Sequence, residues 1–204
     1  MPDVARLAQR ARQVTLDQPA TLGDGDCEAL RGGLLGQPTN TVTSFAYVVA
    51  GGWVAARAAR AAPATRRGAL AYAALTAVTG FGSIAYHGPQ FEGAQFLHDL
   101  PIAGVFAIGA VVPIWRQVRG RAPVPGWTPR LGAAMAATTA LAGASYLAGR
   151  TTSPLCDPES LLQPHGLWHL GTAAVIAMWG AALWAPEQLP DEVEAGPAAE
   201  QLDG

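Results

Sequence analysis

Long apolar blocks alternate with short loops rich in arginine, proline and glycine. Five blocks stand out: NTVTSFAYVVAGGWVAARAA at 40–59, ALAYAALTAVTGFGSIAYH at 69–87, QFLHDLPIAGVFAIGAVVPIW at 95–115, LGAAMAATTALAGASYLAG at 131–149 and HGLWHLGTAAVIAMWGAALW at 165–184. Each supplies roughly the 20 residues that a helix needs to cross the hydrocarbon core of a bilayer. None carries the polar face at helical period that a helix of a soluble bundle would show. The pattern predicts an all-α fold, a polytopic transmembrane helix bundle of about five spans. His87-Gly88-Pro89 reads as the stop signal of the second span. Pro101 falls in the first turns of the third span, where proline is tolerated, and Pro113 near its end.

The regions outside the blocks divide the chain into three parts. Residues 1–38 are an N-terminal surface helix and loop. Val4, Leu7, Ala8, Ala11 and Val14 share one helical face, which fits a short helix lying on a membrane or, being mostly alanine, a loosely ordered terminus. Residues 1–20 lack the continuous apolar stretch of a signal peptide, so none is expected. Residues 39–186 hold the transmembrane bundle. Residues 187–204 are acidic, without an aromatic residue, and read as a disordered tail.

At 204 residues the length is that of one domain. The formal charge of −2 gives no reason to expect nucleic acid as a partner, and leaves a lipid bilayer as the expected surroundings. All thirteen basic residues are arginine, and their placement is uneven. Arg57, Arg60, Arg66 and Arg67 flank one inter-span loop, and Arg116, Arg119, Arg121 and Arg130 flank the other loop on the same side. The positive-inside rule makes that side cytoplasmic. Cys27 and Cys156, the only cysteines, both fall in loops on the opposite side. On an oxidising face the expectation is a Cys27–Cys156 disulfide, two free thiols being the alternative.

The candidate chemistry lies at that opposite, outer side. Five crossings bring His87, Asp99 and His165 to the same ends of their helices, with His169 one turn deeper. Ser83 and His87 are four apart, as are His165 and His169, so each pair shares a helical face. Ionisable residues inside a span are costly and suggest function. Three neutral imidazoles with an open fourth position match a catalytic zinc site, where a bound water reaches a pKa of about 7. Asp99 could orient or deprotonate that water, and Ser83 could donate to a developing oxyanion. Taken singly each has a plainer reading. The His-x3-His pair also suits haem, Ser83 a small residue at a helix contact, and Asp99 a cap on the third helix.

S-x3-H ending one helix, an aspartate opening the next and H-x3-H on the last resembles the superfamily of alkaline ceramidases, adiponectin and progestin receptors and Per1-like lipid-remodelling proteins. GFGSIAYHG and HGLWHL, with Cys27-Glu28, Asn40-Thr41 and Ser44 ahead of the first helix, are similar to alkaline ceramidases in particular. The resemblance runs from about residue 24 to 180. It implies that His87, His165 and His169 bind zinc, that Asp99 holds the zinc water, that Ser83 steadies the oxyanion, and that the reaction is hydrolysis of the amide bond of a ceramide-like membrane lipid. The family usually has seven helices, and two between the third and the last are missing here. Its eukaryotic members also carry calcium. Here Glu28 and Asp26 remain, whereas Leu30 and Gln37 stand where further ligands would be expected, which leaves a calcium site incomplete. A non-enzymatic membrane sensor or receptor with a structural metal, a haem-binding membrane protein and a rhomboid-type serine hydrolase are the competing readings.

Overall fold

A computed structural model describes residues 22–61, 63–121 and 124–185. Among these residues the fold is all-helical: α1 Pro38–Ala58, α2 Pro63–His87, α3 Ala94–Val118, α4 Pro129–Ala148 and α5 Pro164–Leu183. The surface helix expected in residues 1–20 and the tail expected over 187–204 lie outside the described residues. Prolines open α1, α4 and α5, where their missing N–H is one the helix would leave unpaired anyway. α2 starts six residues earlier than its apolar run, because Arg66 and Arg67 are compatible with a helix and remain exposed on its first turns.

Among the described residues four helices are long and apolar enough to cross a membrane: Thr65–His87, Ala94–Val118, Pro129–Ala148 and Pro164–Leu183. α1 has the length, at 21 residues, but Asn40, Thr41, Thr43 and Ser44 make its first half polar. Its packing keeps it in the bundle. Gln37 N–H donates to His87 O at one end, and a Cβ on Gly80 would meet Val48 N at 2.9 Å. Further along, a Cβ on Gly51 would meet Ala73 O at 2.7 Å. α1 therefore runs antiparallel beside α2 for most of its length, and its polar side chains face protein rather than lipid, as buried Asn40, Thr41 and Ser44 require.

The helices follow one another across the bundle in the order α3, α2, α1, α5, α4, with a brief contact between α2 and α5. Tyr47 and Tyr72 fill the centre and use their hydroxyls to hold α5. Tyr47 bonds Thr172 Oγ1 at 2.6 Å, and Tyr72 donates to Ile176 O at 3.0 Å. α3 approaches α2 through a pairing of proline and glycine. Pro101, inside the helix rather than in its first turn, has no N–H for Leu97 O. That carbonyl lies over Gly82, where any Cβ would collide with it. α3 and α4 keep Phe96, Leu100, Phe106, Leu141 and Leu147 exposed on their outer surfaces, as helices facing lipid do.

The helices thus place the arginine-bearing ends of α1 and α3 at one end and the histidines at the other. At the histidine end, loop residues 22–37 fold back over the bundle. Cys27 and Cys156 form a disulfide with Cα atoms 5.4 Å apart. Glu28 is buried, and its two oxygens accept from Thr39 N at 2.6 Å and Asn40 N at 2.8 Å, satisfying the open N–H groups that start α1.

Candidate metal centre

His87 closes α2, and His165 and His169 stack on the first turns of α5. All three are buried, and one ring nitrogen from each falls within 4.8 Å of the others. Such a group could hold a metal ion.

The surrounding hydrogen bonds fix which nitrogen each ring offers. Gln37 Nε2 donates to Gly23 O at 3.1 Å and to Glu28 O at 2.9 Å. Both amide protons are thereby used, so Gln37 Oε1 must face His87 Nδ1, at 2.7 Å, and accept its proton. The lone pair of His87 is left on Nε2. Thr43 sends its own hydroxyl proton to Thr39 O at 2.8 Å, so its oxygen accepts from His169 Nδ1 at 3.0 Å. Again the lone pair is left on Nε2. Among the described residues, both Nε2 atoms are buried without a hydrogen-bond partner. Buried polar atoms normally find partners. Orphaned acceptors on two or more neighbouring rings fit a site for a cation, and the pattern of ring nitrogens anchored by second groups is the one metal-binding histidines show.

Asp26 reaches the same place from the covering loop. Its side chain is only 4% exposed, with Oδ1 3.2 Å from His165 Nδ1 and Oδ2 4.0 Å from His87 Nδ1. Arg150 Nη1 donates to Oδ1 at 2.6 Å. Burial pushes the Asp26 carboxyl up to about 6, against the opposing pull of the Arg150 charge and hydrogen bond.

The other two expected residues have partners of their own. Ser83 shares the α2 face of His87 but is fully buried, its hydroxyl 2.8 Å from that of Ser44. Ser44 Oγ donates to Asn40 O at 2.7 Å, so the Ser83 proton points to Ser44. Asp99 is not a cap, since α3 begins at Ala94 with Gly93 before it. Its side chain is 60% exposed and accepts from His98 Nδ1 at 2.7 Å. His98 stacks on Tyr86 and its ring lies 6.0 Å from that of His87. A cleft of about 460 Å³ joins these parts, lined by Asp26, His87, His98, Asp99, Arg150 and His165 among others. Ser83 does not line it.

Sequence reasoning missed the supports. Gln37, at a position where the resemblance led to an expected calcium ligand, instead orients His87. Thr43 orients His169, and Arg150 holds Asp26. A glutamine before a proline and an acid among the polar loop residues 21–40 have no periodicity to mark them; only Asp26's place beside Cys27 was a signal. No family model matches the chain, and comparison with curated proteins and with solved structures likewise finds no match.

Proposed function

We propose that this membrane protein is a zinc-dependent hydrolase that cleaves the amide bond of a ceramide-like lipid. The observation that carries the reading is the convergence of three buried histidines, His87, His165 and His169, with the Nε2 atoms of His87 and His169 unpartnered among the described residues, beside a cleft that also receives a carboxylate. In this reading His87, His165 and His169 hold the metal. Zinc there would lower the pKa of a water to about 7 and polarise an amide carbonyl.

The chain's own residues supply the rest. Water adds to the carbonyl carbon, the C–N bond breaks, and a proton passes to the leaving amine. Asp99 Oδ2 lies on the carboxylate whose other oxygen is tied to His98, so it takes up the water proton and carries it toward the amine. Ser83 serves as oxyanion donor by turning its hydroxyl from Ser44 toward the amide oxygen. The lipid reaches the cleft from the bilayer, into which the apolar outer faces of α3 and α4 are directed. The centre opens on the outer face of the membrane, opposite the arginines of the cytoplasmic side.

The test is metal content and fatty-acid release measured on the same purified samples. Wild type should carry about one zinc per chain and release fatty acid from a short-chain ceramide analogue. Alanine at His87, His165 or His169 should remove both in protein that still folds. Metal without amide cleavage on any lipid amide tried would favour a sensor with a structural metal. A Soret band in place of zinc would favour haem.

A further inference from the structure

We propose that Asp26, held by Arg150, is a positioning residue of the histidine centre, orienting His165 and supplying negative charge beside the metal. The inference rests on the metal-centre reading above, but not on hydrolysis.

Several independent features converge on this carboxylate. Asp26 and Arg150 form an isolated antiparallel bridge, with Cys27 N–H donating to Gly149 O at 2.7 Å and Thr151 N–H to Gly25 O at 3.1 Å. The Cys27–Cys156 disulfide clamps the next residue along. Two glycines make the approach possible. A Cβ on Gly25 would collide with the Arg150 guanidinium, and one on Gly149 would meet His165 Cα at 2.9 Å. The loop is thereby brought against the first turn of α5 with Asp26 pointing inward.

Energetics separate this arrangement from an ordinary loop ion pair. Withdrawing a carboxylate from water is costly, and pairing with one arginine does little better than offset that cost. A simple clasp between two loops would leave the pair at the surface. Here the arginine is the more exposed partner, its side chain 35% accessible, while the carboxylate is turned away from solvent toward two imidazoles. A carboxylate against a metal-binding histidine fixes the ring and strengthens it as a ligand. Arg150 fixes the carboxylate in turn, and its cation–π contact with Tyr146, at 5.4 Å from the ring, fixes the arginine.

The experiment uses the full chain in detergent with Zn²⁺ in competition against a chelator, and Co²⁺ as a spectroscopic probe. Asp26→Asn keeps the size and one acceptor oxygen but loses the charge. It should weaken metal binding about 10- to 100-fold and shift the visible Co²⁺ absorption. Arg150→Met leaves the carboxylate in place but unheld, and should show a weaker change in the same direction; it also serves if Asp26→Asn does not fold. A lowered unfolding temperature with unchanged metal affinity and Co²⁺ spectrum in both variants would make the pair purely structural and overturn the proposal. Wild type that takes up neither metal would overturn it together with the metal-centre reading, whereas metal uptake without lipid hydrolysis would leave it standing.

Discussion

Gln37 accepts the Nδ1 proton of His87 at 2.7 Å across fifty residues of sequence, because both of its own amide protons are committed to Gly23 O and Glu28 O. The loop thus chooses the tautomer of a residue on α2. Gln37→Leu should remove that choice and strand two backbone carbonyls. Metal affinity is expected to fall about 10- to 100-fold, the usual cost of losing a partner of a metal-binding histidine. Chelator competition on folded protein reads it, and unchanged affinity would show that the His87 ring needs no such anchor.

The Cys27–Cys156 bond closes a loop of 129 residues in sequence and holds the cover over the histidines. Replacing both cysteines with serine should cost about 2–5 kcal/mol of stability. Thermal unfolding in detergent checks this. A larger fraction of metal should also be lost to chelator, since Asp26 adjoins the bond. An unmoved unfolding temperature would mean that the backbone pairing of residues 25–27 with 149–151 suffices alone.

Asp99 and Ser83 should serve chemistry rather than metal retention. Asp99→Asn and Ser83→Ala are expected to keep full zinc. Loss of an oxyanion donor costs on the order of 10²–10³ in kcat, which sets the expectation for Ser83→Ala. Zinc content and fatty-acid release on the same samples decide it. Because Ser83 points to Ser44 in the structure, Ser44→Ala is a useful companion: it should free the Ser83 hydroxyl and retain activity.

Gly82 sits under Leu97 O, the carbonyl to which Pro101 has no N–H to offer. Gly82→Val has no room to stay in place. It should push α3 from α2 and destabilise the protein by about 1–3 kcal/mol, the usual cost of overpacking. A fall in unfolding temperature is the readout. No change would mean that α3 already moves freely at its histidine end.

Apolar run length depends on local composition alone, so α3, α4 and α5 could be read to within a few residues, and the four candidate spans with them. The histidine cluster was legible for a related reason. Spacing of four puts side chains on one helical face, and counting crossings puts helix ends on one side, so neither step needs packing detail. α1 was a different case. Its polar first half looks like a weak span in isolation, and only contact with α2 and α5 explains why Asn40, Thr41 and Ser44 are buried in a membrane bundle.

What the tertiary structure decided was the second layer of the site. Ser83 and Asp99 are close to histidines in sequence, yet Ser83 is sealed against Ser44 and Asp99 is turned to His98. Asp26 lies 61 and 139 residues from His87 and His165, yet its carboxylate comes within 4.0 and 3.2 Å of their Nδ1 atoms. Its neighbours Asp24 and Glu28 are chemically equivalent on paper. Which acid enters the centre depends on loop pairing, on a disulfide and on two glycines that admit a close approach. Those are non-local contacts, and helical periodicity carries no information about them.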